Sequence, residues 1–415
     1  MRIPAIGDGR AGLVLDRCGY RAMSFGVEAL AAIEPAESVA ADDGFDPRAL
    51  RWVVEPRKRA PGLDALLIYA HRLGASRVSF LSGKPVWIRV HGRNRRVGGE
   101  ALDESEVADI TNHMYGADGI ARLQGGHSIN VSYEIVLSRT ERLRFRVNGV
   151  PIETSRGVGV NLVLRPIPDL PPSLEEQLVE PEIMKAFNVR EGMVIVSGAT
   201  GSGKSTLIAG MTIAKLYEPE GDYNILEAAA PLEFRLERIK SPSSTIAQSE
   251  VPRDFSTFGA FIEECMRRES TDIIVGECRN IETMEAAIQA AISGHALTTT
   301  VHAKNVALTM DRIVGLTSPG ERENALKCVV QSLRLVINQR LTRSTDGKRV
   351  ALREFLVFNE RIRNQLERTP PAEWPSVTRS AVEEEGQSFK RAVEIALAAG
   401  WISEETAAYE LREIA

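Results

Sequence analysis

Hydrophobic positions change their period several times along the chain, and each change marks an element. In LDALLIYAHRLG, Leu63, Leu66, Leu67 and Ala70 recur at helical spacing and Gly74 closes the run, which predicts a helix. RVSFL and VWIRV follow, joined by Ser82-Gly83-Lys84-Pro85, a hairpin signal. INVSYEIVL and RLRFRVNG read as two further strands, and VNLVLR as another. RLRFRVNG alternates cleanly: Arg142, Arg144 and Arg146 share one face, and Leu143, Phe145 and Val147 the other. Strands with a flanking helix predict an α+β domain over residues 46–165.

PIPDLPPSLEEQ then holds Pro166, Pro168, Pro171 and Pro172, so residues 166–176 read as a semi-rigid linker. Ser173 with Glu176 forms a capping box, which predicts a helix start. Over 177–345, apolar strands alternate with amphipathic helices, the pattern of an α/β core with a mainly parallel sheet. Residues from about 306 onward read as mostly helical, with a short β-like interruption near VALREFLVF, and 346–415 as a C-terminal region. Residues 1–45 have weak periodicity and read as a mobile extension.

The chain has 415 residues, enough for two or three domains. Hydrophobic residues make up 43% and charged residues 26%, which excludes a fibrous or wholly disordered chain. The net charge of −5 supplies no global basic field for nucleic acid or anionic lipid. No apolar run approaches the roughly 18 residues of a membrane span, and the N-terminus lacks a continuous signal-peptide core. Cys18, Cys265, Cys278 and Cys328 are scattered, the usage of reduced thiols in a cytosolic protein.

The strongest chemical signal is MVIVSGATGSGKSTLIAGM, in which G-x-x-x-x-G-K-S runs from Gly198 to Ser205 between an apolar strand and a helical pattern. Gly198, Gly201 and Gly203 let backbone N–H groups approach phosphate oxygens without a Cβ in the way. The N–H groups of Ala199, Thr200, Ser202 and Thr206 belong to the same loop and helix start, whose dipole favours an anion. Lys204 supplies charge to the β and γ phosphates, and the Ser205 hydroxyl ligates Mg²⁺. The loop specifies a nucleoside triphosphate but not the reaction.

About seventy residues on, TDIIVGECRN ends an apolar strand at Gly276-Glu277. A carboxylate at a strand end beside a phosphate loop can hold Mg²⁺ through water or polarise the attacking water. Asp272 reads as structural, and Arg279 can pair with Glu277 or touch a phosphate. In AAISGHALTTTVHAKN, His295 and His302 bracket a β-rich run.

Together these blocks resemble the secretion ATPase superfamily of type II and type IV secretion and type IV pili, on its PilT-like branch with the Dot/Icm and conjugative-transfer ATPases. GASRVSFLSGKPVWIRVHG, RFRVN, Arg156-Gly157 and LRPIP resemble its N-terminal motifs; GATGSGKST is similar to its Walker A, TDIIVGECRN to its Walker B block, and GHALTTTVH to its histidine box. The resemblance implies a PAS-like α+β N-terminal domain joined to a RecA-like α/β ATPase domain, using ATP and Mg²⁺ in a homo-hexameric ring. It implies a cytoplasmic protein held peripherally at the inner membrane by secretion or pilus components, with no obligatory nucleic acid. It assigns catalytic roles to Glu277, His302 and Arg268, and phosphate contacts to Arg144, Arg146 and Arg156.

One departure stands out. The family's acidic box places acids before its proline, but here the segment is ILEAAAPLEF, with Ala229 and Ala230 in those places. Glu227 lies two residues too early, and Glu233 matches the box's last acid. Either Glu227 or Glu277 takes over water activation, or the chain binds nucleotide without turning it over. Asn280 likewise replaces an acid common after the Walker B arginine. A nucleic-acid translocase of RecA-like fold is the third reading, weakened by the acidic net charge and by sparse basic–aromatic interleaving.

Overall fold

The computed structural model describes residues 60–90, 93–97, 101–138, 141–155, 157–318, 320 and 322–414. The expected extension over 1–45 lies outside them. Two sheets organise the chain. The first is antiparallel and contains β1 (Arg77–Leu81), β2 (Val86–Val90), β3 (Arg93–Val97), β4 (Ile129–Val136), β5 (Arg142–Thr154) and β6 (Gly157–Ile167), in the order β3-β2-β1-β6-β5-β4. Gly83, at φ +75°, gives the β1–β2 hairpin its left-handed residue. Helices α1 (Ala60–Arg72), α2 (Glu104–Tyr115) and α3 (Gly119–Gln124) pack on this sheet through a core that includes Leu63, Leu66, Phe80, Val107, Phe145 and Leu162. Asp103 and Glu106 close a capping box at the start of α2. The N-terminal half is therefore α+β.

The second sheet is the larger. It contains β7 (Gly192–Ser197), β8 (Asn224–Ala229), β9 (Thr245–Glu250), β10 (Asp272–Val275), β11 (Ala296–Val301), β12 (Leu333–Arg343) and β13 (Arg349–Val357), ordered β13-β12-β7-β11-β10-β8-β9. All pairings are parallel except that of the edge strand β13. β7, β10 and β11 are buried at every position, as a parallel sheet covered on both faces requires. One face packs on a core with α6 (Phe258–Cys265), α7 (Ile281–Ile292), α8 (Val306–Gly315) and α9 (Arg322–Ser332); the other packs on α4 (Pro181–Phe187) and α5 (Lys204–Leu216). This is the RecA-like arrangement. Beyond it, α10 (Glu360–Glu367) and α11 (Trp374–Glu385) join the first of these cores. α12 (Phe389–Ala398) and α13 (Glu404–Ile414) pack on β13 through Val350, Leu352, Phe389 and Ile402.

Three local expectations change. The run LRLVINQRLTR is not helical but forms β12, because its apolar positions Leu333, Leu335, Val336 and Ile337 sit at a spacing either period can use and β7 offers a parallel partner. The sheet therefore continues past residue 345 through β13. The Ser173–Glu176 capping box forms, with both reciprocal bonds made, but it closes only a turn. Leu178, at φ +51°, breaks the helical path, and α4 starts three residues later on Pro181. Pro166 and Ile167, expected in the linker, still pair with β5.

The arginine face of β5 forms the seam between the two halves, with Arg144 buried in it and Arg142 and Arg146 still partly exposed. Arg144 is 2% exposed and donates to the carbonyls of Leu232 and Glu233, each at 2.8 Å. Glu134, opposite Arg144 on β4, accepts from Arg142 and from Arg238. Ser132 Oγ donates to Glu250 Oε1.

Asp272 has the structural role its position suggested. Its carboxylate meets Lys215 Nζ at 2.6 Å, and that ammonium also lies 4.9 Å from the Phe187 and Tyr223 ring centroids. Both side chains are buried. Lys215→Met strands a buried carboxylate and is expected to lower unfolding stability by about 3–5 kcal/mol in urea titrations. Lys215→Met combined with Asp272→Leu is expected to recover most of that loss; a double variant no better than the single one would refute the pairing argument.

Candidate nucleotide site

β7 delivers the chain into the loop that ends at α5. Gly198, Gly201 and Gly203 have φ of +144°, +79° and +84°, so each needs glycine for its backbone alone. A Cβ on Gly198 would come within 2.5 Å of the Gln339 carbonyl oxygen, and one on Gly203 within 2.8 Å of Gln339 Nε2. Lys204 opens α5 and is buried; its Nζ donates to the carbonyls of Gly198 at 2.9 Å and Ala199 at 3.0 Å. Burial pulls the pKa of this ammonium down, and the Glu277 and Glu233 carboxylates oppose the shift without cancelling it.

The loop borders a cavity of about 190 Å³. Thr200, Gly201, Lys204 and Ser205 form one wall. β8 brings Glu227 and Ala229, and the turn after it brings Ala230 and Glu233. Gly276, Glu277 and Arg279 come from the end of β10, Thr300 and His302 from the end of β11, and Arg146 from the N-terminal half. Parallel register explains the convergence: β7, β8, β10 and β11 all end on the same edge of the sheet.

The two carboxylates have opposite surroundings. Burial raises the pKa of Glu277, but a 2.6 Å bond from Arg279 and the charges of Arg279, His302 and Lys204 outweigh it and hold the group below its ordinary value. His302 reaches Glu277 Oε1 through Nε2 at 3.1 Å and the Gly198 carbonyl through Nδ1 at 3.2 Å. Among the described residues, the hydrogen-bond partner of the Glu227 carboxylate is Gln248, its register partner on β9, whose Nε2 donates to it at 2.5 Å. Burial, with the like charges of Glu237 and Glu233, pushes Glu227 up to about 7 against that hydrogen bond.

The family described as Type II/IV secretion system protein matches residues 128–397. The chain belongs to that family. Within it the chain sits on the PilT-like branch of secretion and pilus ATPases. It is 31% identical to the type IV pilus retraction ATPase PilT of Pseudomonas aeruginosa over 83% of this chain and 96% of that protein. It is 32% identical to a twitching motility protein of Neisseria gonorrhoeae over 77% of this chain and 82% of that one. Among solved structures, the ATPase DotB of Legionella pneumophila superposes with a TM-score of 0.81 at 34% identity, over 86% of this chain and 97% of DotB. The pilus retraction motor PilT with bound ADP superposes at 0.71 and 25% identity, over 83% of this chain and 95% of that one.

Against this secretion-ATPase frame, the candidate residues fall into three groups. Thr200, Gly201, Lys204, Ser205, Arg146, Glu227, Glu277 and His302 line the cavity together. Gly198, Ala199, Ser202, Gly203 and Thr206 shape the loop or the helix start behind it. Arg144 and Arg268 are not brought to it. Arg144 is committed to the seam, and Arg268 follows α6 on the surface near the start of β10, at the opposite end of the strand from Glu277. Arg156 lies outside the described residues. His295 precedes β11, so a full strand separates it from His302.

The two departures from the family pattern sit in defined surroundings. Ala229 packs against Gly276, where a Cβ would come 3.0 Å from the Ala229 Cα. Asn280 caps α7, its side chain accepting from Thr283 N. Sequence reasoning missed Gln248 and Gln339, because only strand pairing puts them beside Glu227 and the loop.

Glu227 also makes stability depend on pH. Its folded pKa, about 7, lies above the ordinary 4.5, so its contribution is full below 4.5 and is lost as pH rises through 7. Glu227→Gln is therefore expected to be more stable than the parent at pH 8, by at most about 3 kcal/mol, with the gap closing toward pH 5. Thermal unfolding across that range tests this; a gap that does not vary with pH would place Glu227 in an ordinary carboxylate environment.

Proposed function

We propose that the chain is a homo-hexameric Mg-ATP motor that powers a type IV secretion, conjugation or pilus-type machine, docked on inner-membrane components from the cytoplasm. The supporting observation is the single cavity that gathers Lys204, Ser205, Glu227, Glu277 and His302. Among the described residues no cluster of acids, histidines and cysteines could hold a metal by itself. That fits an ion shared between protein and phosphates: Ser205, and Glu277 through water, would hold Mg²⁺, which would neutralise phosphate charge.

In this reading the loop N–H groups and Lys204 bind the β and γ phosphates. Glu227 takes the role of the acid missing at Ala229: a carboxyl titrating near 7 accepts the proton of the attacking water, whose oxygen bonds to the γ phosphorus as the bond to ADP breaks. Glu277, held ionised by Arg279, orients water at the ion, and His302 ties the histidine-box strand to the phosphate loop. Arg146, 3.5 Å from Glu233 and partly exposed, is free to exchange that partner for phosphate. Arg268, exposed on the surface, suits a neighbouring subunit's site. Turnover swings the N-terminal half about the Arg144 seam.

Steady-state phosphate release tests the reading. Lys204→Ala is expected to abolish it, and Glu227→Gln to lower kcat by about 10²–10⁴. The parent's kcat/KM should rise with pH and be half-maximal near 7. A Glu227→Gln variant at the parental rate would move the base role to Glu277. An assembled, ATP-bound protein that releases no phosphate would make the chain a non-hydrolysing subunit.

A further inference from the structure

Gln339 and Arg353 face each other across β12 and β13 and are among the most buried polar residues of the chain, 2% and 1% exposed. Gln339 Nε2 donates to the Ser202 carbonyl inside the phosphate loop at 2.6 Å, and its Oε1 accepts from Arg353 Nε at 2.7 Å. The other Arg353 donors leave the sheet. Nη1 reaches the Leu178 carbonyl at 2.9 Å and Glu180 Oε2 at 3.0 Å, and Nη2 reaches the Gln177 carbonyl at 2.8 Å. Those three residues lie in the segment that connects the two halves. Glu180 Oε1 in turn accepts from Gln387, just before α12.

We propose that Arg353 and Gln339 are positioning residues that couple the interdomain segment and the C-terminal helices to the shape of the phosphate loop. Gln339 touches the loop at both ends: its backbone carbonyl abuts Gly198, and its side-chain amide abuts Gly203 and bonds to Ser202. A shift of its side chain therefore moves the array of N–H groups that meets phosphate. The guanidinium is planar and its donors are spent in fixed directions, so a displaced linker pulls on Gln339 rather than being absorbed by a flexible tether. A buried arginine is a poor choice for stability alone, because a well-packed apolar pair of equal volume does as well. The inference rests on the loop binding a nucleotide.

The test is equilibrium binding of MgADP to the full chain, with thermal stability measured in parallel. Gln339→Leu, Arg353→Met and Glu180→Gln are each expected to weaken MgADP about tenfold, within the usual range of site coupling. The Gln339→Leu/Arg353→Met double variant should bind no worse than the weaker single one, because both lie on one path. Variants that lose stability but keep parental affinity would overturn the relay, as would additive losses. If Arg353→Met does not fold, Glu180→Gln decides alone: parental affinity there refutes coupling to the linker. Parental protein that fails to bind MgADP, like the Lys204→Ala control, would sink the nucleotide reading itself and the relay with it.

Discussion

The phosphate loop depends on a strand far away in sequence. Its three left-handed glycines permit the loop but do not select it; the selection comes from β12, whose Gln339 fills the space behind Gly198 and Gly203 and bonds to Ser202. β12 can do this because it runs parallel to β7, with Asn338 in register with Ser197 at the base of the loop. Asn338 adds a second tie, donating to Ser197 Oγ at 2.7 Å and to the Ala303 carbonyl at 3.0 Å. The histidine-box strand, the loop and β12 are thereby locked to one another by buried hydrogen bonds, whose geometry is costly to disturb.

The seam between the halves follows the same logic. An alternating strand with arginine on one face reads, by itself, as half-buried and half-solvated. Arg144 becomes interfacial because the turn after β8 presents carbonyls that need donors, and Glu134 because it accepts from Arg238 across the seam. Arg146, two residues along the same face, reaches the cavity instead. One strand therefore both fastens the N-terminal half and supplies a cation to the cavity wall.

Much of this was legible from residue order. The helix closed by Gly74, the β1–β2 hairpin, the alternation of β5 and the strand-loop-helix around Lys204 are local patterns, and local patterns survive folding when the tertiary setting agrees with them. β12 was not legible, because its apolar run suits either period and only the vacancy beside β7 decides. The Ser173 box was read correctly as a cap and wrongly as a helix: two side-chain bonds close one turn, but Leu178 and Pro181 stop propagation. Among site residues, the loop and Glu277 carry motifs. Gln248, Gln339 and Arg353 carry none, since register across strands is invisible in one sequence.

In the proposed mechanism, strand register relocates the chemistry of the altered acidic box. Ala229 lies against Gly276, where a Cβ on the glycine would come 3.0 Å from the Ala229 Cα, so it is the glycine that lets β8 and the strand end leading to Glu277 approach. Two residues earlier, on the same face of the strand, Glu227 has room and a partner in Gln248. The cavity thus keeps two carboxylates whose environments push them apart, one charged by its cationic neighbours and one raised to about 7 by burial and nearby acids. Such a separation lets one group stay an anion beside the ion and phosphates while the other is free to take up a proton. In the proposed mechanism, the acid displaced along β8 keeps the division of labour between two carboxylates for as long as the strand keeps its pairing with β9.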